Sequence, residues 1–304
     1  MLAIIIVLWG TNFVVSRFLT GIDPVRISGI LYAFFRYLIG AFTMIVLMVY
    51  RRKGLTKINE EIRSYKRLLL LSALLSAIFV MALHMSTEFI PSGTSSILVN
   101  LSPIVVLIFG AMFLSERISK MKVSGFLLGL LGGIAFLWSS LIFMPGLEWG
   151  LLLAIIAMFA WAGYTITLHY LEGADRYVVM TVKHGISAAM IIPFIIVFVI
   201  YGGILTLIPD IYTITGLLFA GVLASGLAYL LYFSAIEMLG AAKASSFLFL
   251  IPFVSVAGDF ILGEPPELMA LITGVVAIIG VALVKFSDNA SALEKCEEQS
   301  DSDA

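Results

Sequence analysis

Ten apolar stretches follow one another along the chain, at roughly 2–19, 25–50, 68–89, 93–114, 122–143, 147–170, 176–201, 213–236, 241–262 and 267–286. Each has about the 17–25 residues that a helix needs to cross a hydrocarbon layer about 30 Å thick. A soluble fold would have to expose several of them, because only 12% of the residues are charged and 61% are apolar. That charged share is about half the ordinary value. Runs such as 68–82 and 147–161 show no period-two alternation, which excludes a barrel of short strands. In lipid the backbone must satisfy its own polar groups, so the stretches are expected to be helices. The fold class is therefore an all-α polytopic membrane protein with ten transmembrane helices.

Other classes fall away quickly. A formal net charge of −1 gives no basic footprint for nucleic acid. The single cysteine, Cys296, has no disulfide partner and no companions for a zinc site. The first stretch lacks a basic leader and a small-residue cleavage signal, and it carries Trp9, Asn12 and Arg17, so it counts as a helix. Pro91, Pro145 and Pro209 fall between stretches, whereas Pro103, Pro193 and Pro252 lie inside them and predict kinks.

Lysine and arginine set an orientation. Fourteen of them fall in alternate loops and the tail, seven between the second and third stretches alone, while the opposite side has Arg26 and the nearby Arg17. Both termini are then expected to be cytoplasmic, in a cell-membrane protein. The tail, 287–304, carries six acids against Lys295 and is too polar to build a core.

The two halves of the chain resemble each other. Trp9-Gly10-Thr11-Asn12-Phe13 matches Trp161-Ala162-Gly163-Tyr164-Thr165, and the string 35–41 around Arg36 matches 182–188 around Lys183. Glu88 matches Glu237, Ser95-Ser96 before Pro103 matches Ala244-Ser245 before Pro252, and Leu114-Ser115-Glu116 matches Leu262-Gly263-Glu264. Five ordered matches that include tryptophan and intramembrane cations point to a repeat. The expected units are 1–143 and 147–286, each with five helices. Five is odd, so equivalent helices cross in opposite directions. Such inverted repeats underlie many carriers, because exchanging the conformations of the two halves opens the opposite side.

These motifs resemble those of the drug/metabolite transporter superfamily, and within it the EamA family with two EamA repeats. The likeness spans about residues 1–286. It implies a central cavity between the halves and export of amino acids or related small metabolites. It also places helices 5 and 10 at the periphery, where Gly125, Gly129, Gly132, Gly133, Gly274 and Gly280 fit close packing or contact between two copies.

Candidate cavity residues follow from helical faces. Trp9, Asn12, Phe13 and Ser16 share one face, and Trp161, Tyr164 and Thr165 trace the corresponding one. Ser96 with Asn100, Tyr229 with Tyr232, His84, and Ser245 complete the set. Aromatic rings beside amides and hydroxyls suit a small zwitterion with an apolar side chain. Arg36 and Lys183 read as carboxylate-binding or gating groups, since a membrane-buried cation needs protein or water around it. A structural role is the competing reading, and Lys183 could snorkel outward. Asp259 is the best proton-coupling candidate, unless it reaches water at its helix end. His84 and Glu88 form a polar i, i+4 pair, and no metal or other cofactor is expected.

The leading expectation is a secondary carrier of a small organic metabolite, with that solute and the lipid bilayer as its partners. Phosphate-loop, nucleophile-elbow and zinc-protease motifs are missing from the sequence, which disfavours ATP-driven transport and an enzyme. A membrane-embedded enzyme acting on lipid or peptide is the alternative.

Overall fold

A computed structural model describes residues 1–51, 55–113, 120–143, 148–265, 268, 271–276 and 279–280. The acidic tail, Cys296, Glu116 and Pro145 lie outside them. The chain is helical: α1 (Leu2–Thr20), α2 (Gly29–Tyr50), α3 (Leu55–Phe89), α4 (Ser92–Val99), α5 (Ser102–Phe113), α6 (Lys120–Phe143), α7 (Glu148–His169) and α8 (Arg176–Ile200). There follow α9 (Ile211–Leu218), a π-helical segment (Phe219–Leu227), α10 (Ala228–Leu239), α11 (Ala241–Ser246), a 3₁₀ turn (Phe247–Leu250) and α12 (Ile251–Leu262). Among the described residues, six helices are long and apolar enough to cross a membrane: α1, α2, Ile58–Phe89, α7, α8 and the run Ile211–Leu239.

Two of the apolar stretches are broken at matched places. The chain leaves helical geometry at Asn100–Leu101, just before Pro103, and tightens to a 3₁₀ turn at Phe247–Leu250, just before Pro252. Proline lacks an N–H and clashes with the preceding turn, so each helix yields there. Pro193 behaves differently, because α8 runs through it without interruption. The π-helical turns between α9 and α10 carry no marker in an unbroken apolar run.

Side chains cap the helix ends. The Asp175 carboxylate accepts from the Tyr177 and Val178 amides at the start of α8, and Asp210 accepts from Thr213 at the start of α9. That amide bond, with Arg26 beside it, holds the Asp210 carboxyl below its ordinary value. Glu88 accepts from the Gly29 amide at the start of α2. Gly263, at φ +77, ends α12 in the left-handed region.

The major interfaces join elements from the two halves of the chain: α3 with α7 and α8, α2 with α8 and the π segment, and α12 with α1 and α4. The halves therefore interlock rather than sit apart. Close approach at the α1–α12 seam depends on glycine. A Cβ on Gly258 would lie 2.2 Å from a Val14 methyl carbon, and one on Gly10 would lie 2.5 Å from Val254 Cβ. Gly258→Leu is expected to cost about 1–3 kcal/mol through overpacking, read as a lower unfolding midpoint in detergent. Gly280 sits against Gly129 and Gly125, so these glycines serve contact within the chain.

One end of the bundle is closed by polar links between the halves. Arg17 makes a two-pronged pair with Glu264, at 2.8 and 2.6 Å, and also donates to the carbonyls of Thr87 and Glu88. The connections 26–28 and 204–208 form a short clasp: Ile27 bridges Leu207, Ser28 N–H donates to the Thr206 carbonyl, and Arg26 pairs with Asp210 at 3.1 Å.

Candidate functional site

The centre of the bundle is an aromatic cluster. Trp9 on α1 meets Trp161 on α7 edge to face, with ring centroids 5.1 Å apart, and both contact Tyr229 and Tyr232 of α10. Phe79 of α3 leans on Trp161, and Tyr164 stacks obliquely on it from the next turn. The buried Trp9 N–H needs an acceptor and donates to the Ala224 carbonyl, in the π-helical segment, at 2.8 Å. Such wide turns recur at functional sites.

Beside this cluster lies a cavity of about 20 Å³, walled by Trp9, Asn12, Phe79, Asn100, Trp161 and Tyr229, with Phe13, Leu83, Val99, Leu248 and Ile251 filling the gaps. That is room for about one water molecule. A larger solute fits there only if the walls part. Both breaks in the helices face this space, through Asn100 and Leu248.

Behind the aromatic wall stand two cations. Arg36 is 2% exposed and Lys183 fully buried, so Lys183 does not snorkel outward; rings from α2, α7 and α10 enclose it. The Arg36 guanidinium donates to Ser225 Oγ at 2.8 Å, to His84 Nε2 at 2.8 Å and, more weakly, to the Ala224 carbonyl that Trp9 also uses. Lys183 Nζ lies 3.6 Å from the Tyr229 ring centroid, flanked by the rings of Tyr37 and Tyr164, and contacts His184 Nε2 at 3.1 Å. Tyr37 ties the two groups together, with its hydroxyl on Ser76 and Tyr229 and its ring 4.9 Å from that of His184. Among the described residues, neither cation has a carboxylate within ion-pair distance.

The expected site residues divide by this geometry. Trp9, Asn12, Asn100, Trp161 and Tyr229 wall the cavity, while Tyr164 and Tyr232 belong to the aromatic cluster around it. His84, Ser96 and Ser245 are buried but stand off the wall. His84 does not pair with Glu88, because Arg36 and Ser16 on neighbouring helices claim its ring nitrogens and the Gly29 amide claims Glu88. Asp259 does not reach water either. It is buried, accepting from Ser92 Oγ at 2.5 Å and from the Gly93 amide at 2.7 Å, at the positive end of α4.

Sequence inspection missed Tyr32, Tyr37 and Ser76. Tyr37 carried a usable signal, since it matches His184 at the same offset that relates Arg36 to Lys183. Tyr32 and Ser76 carried none. Among the described residues no group of three or more potential metal ligands occurs.

An all-helical chain with six membrane-spanning candidates among the described residues and a cation-backed centre is a polytopic membrane protein. The profile of the EamA-like transporter family matches it twice, over residues 1–138 and 148–286, so the chain belongs to that family. An uncharacterized transporter of Archaeoglobus fulgidus is 27% identical over 93% of this chain and 96% of its own length. The uncharacterized transporter YvbV of Bacillus subtilis is 26% identical over 92% and 88%. A protein of Salmonella typhimurium named a probable amino-acid metabolite efflux pump is 24% identical over 93% of each chain. A solved crystal structure superposes with a TM-score of 0.67 over 93% of this chain and 95% of the other, at 18% identity, which is likeness of fold alone.

Proposed function

We propose that this protein is a secondary carrier that moves a small carboxylate-bearing metabolite, an amino acid or close relative, across the cell membrane by alternating access. Ten spanning helices form two inverted five-helix units, 1–143 and 147–286, with both termini in the cytoplasm and the Arg17 end facing out. The observation that carries this reading is the pair of buried cations, Arg36 and Lys183, at matched positions behind the wall of one central cavity and, among the described residues, without a carboxylate within ion-pair distance. A buried charge is expensive unless paired, and a transported anion supplies the partner. The aromatic wall suits an apolar side chain, and Asn12 and Asn100 offer amides to an amino or carboxyl group.

The inverted arrangement draws support from residues that meet. A twofold axis brings matched residues into contact where it passes between them. Trp9 touches Trp161, and Tyr37 touches His184, each its own counterpart in the other half. The Salmonella relative's name supports amino-acid metabolites as cargo and export as the direction.

Counterflow in proteoliposomes tests the proposal. Preloading with unlabelled L-phenylalanine or L-leucine should accelerate entry of the labelled compound. Asn12→Ala and Trp161→Ala should each slow that entry at least tenfold while the protein still inserts. Unchanged entry in both variants would remove the cavity assignment, and no acceleration with any carboxylate of a broad panel would remove the carrier assignment.

A further inference from the structure

The histidine beside Arg36 is held in one protonation state by its neighbours, and this has a consequence for coupling. Arginine only donates, so the 2.8 Å contact from Arg36 Nη1 makes His84 Nε2 an acceptor. A neutral ring then carries its proton on Nδ1, which donates to Ser16 Oγ at 2.7 Å. Ser16 is itself fixed by Thr87. While Arg36 donates to Nε2, that lone pair is occupied, and a proton there would set an imidazolium against a guanidinium.

The proposed carboxylate changes that balance. It gives the guanidinium a stronger acceptor than an imidazole nitrogen. Once Arg36 turns to it, Nε2 is a buried acceptor without a donor, a costly state. We infer that binding of the carboxylate at Arg36 frees His84 Nε2 to take up one proton, so that substrate and proton enter the site together. The proton comes from the water on the side to which the cavity opens, leaves hydronium as water, and forms the Nε2–H bond. His84⁺ and Arg36⁺ then share the carboxylate. The inference rests on the carrier reading above and adds the coupled ion to it.

The surroundings of His84 agree. From α2 it faces Arg36 and the ring of Tyr32, 4.5 Å away, whose hydroxyl donates to the cavity residue Asn12. From α1 come Ser16 and, as the next residue, Arg17, which Glu264 neutralises. On α3 the next carboxylate, Glu88, is engaged by Gly29 N–H. The π segment contributes Ser225 through Arg36, and α8 brings His184, and with it Lys183, close to Gly40 one turn beyond Arg36. Among the described residues, then, no carboxylate bonds His84 until an anion arrives. His184 repeats the arrangement with Lys183, its Nδ1 on the Met180 carbonyl, but three tyrosine rings screen that cation.

Calorimetry on the purified full chain tests this, with phenylacetate and L-phenylalanine as probes, each titrated in two buffers of different ionisation enthalpy. Uptake near one proton per ligand is expected, with affinity falling up to tenfold per pH unit on the alkaline side. In His84→Gln, whose amide can still accept from Arg36 and donate to Ser16, binding should weaken to a pH-independent level and proton uptake vanish; in His184→Gln uptake should remain. Binding without proton uptake in the wild-type chain would overturn the coupling and leave the carrier reading intact. Uptake that survives in His84→Gln would overturn the assignment to His84. If neither these probes nor a broader panel of carboxylates binds at any pH, the carboxylate reading fails and the coupling with it.

Discussion

Replacing Arg36 by glutamine should reduce transport of a carboxylate substrate by about a hundredfold or more. Removing one member of a buried, hydrogen-bonded charge pair costs about 2–5 kcal/mol, and each 1.4 kcal/mol is a factor of about ten. Arg36→Lys should rescue little. The guanidinium reaches Ser225, His84 and the Ala224 carbonyl from three nitrogens in one plane, whereas an ammonium is a point donor that cannot span them. The measurement is initial uptake rate in proteoliposomes, normalised to protein that elutes as a single species in detergent. Rates within threefold of wild type in Arg36→Gln would remove the cation from the transport site and assign it to structure.

The second large effect is expected where α1 meets the end of α12. Arg17→Glu should lower transport at least tenfold, because two carboxylates then face each other and the carbonyls of Thr87 and Glu88 lose their donor. Glu264→Arg alone sets two guanidiniums together and should do similar damage. The double variant restores opposite charges across the same gap and should return to within about threefold of wild type, since neighbouring residues couple non-additively. Rescue identifies the pair as an ionic link between the halves that transport needs. Failure of the double variant together with full activity in both single variants would show that the pair has no part in the cycle.

How much of this was legible beforehand depended on contrast. The apolar segments are plain in the sequence because loops interrupt them with charges, and the matched Trp9/Trp161 and Arg36/Lys183 stand out because tryptophans and cations are rare inside such segments. Faces were harder. In a membrane protein both the lipid-facing and the buried positions are apolar, so Phe42, exposed, and Tyr32, buried, look alike in the chain. The π-helical segment lies in a run with no polar residue but Ser225 and so left no change of period to detect. Partners remote in sequence were invisible too: Glu264 reads as a helix ending, yet it closes an ion pair with a residue 247 positions earlier. The cavity wall was half visible, because its amides and tryptophans declare themselves whereas Leu83, Val99 and Ile251 are indistinguishable from filler.

The central claim, that the two halves rock reciprocally about the Arg36–Trp161 centre, can be measured as distances. Phe89 and Ile261 are exposed at one end of the bundle, on α3 and α12, and Tyr50 and Met238 are exposed at the other, on α2 and α10. Spin labels on each pair, read by pulsed dipolar spectroscopy in lipid nanodiscs, should show one distance lengthening as the other shortens when a transported carboxylate is added. Two distances that stay fixed, or that widen together, would contradict alternating access.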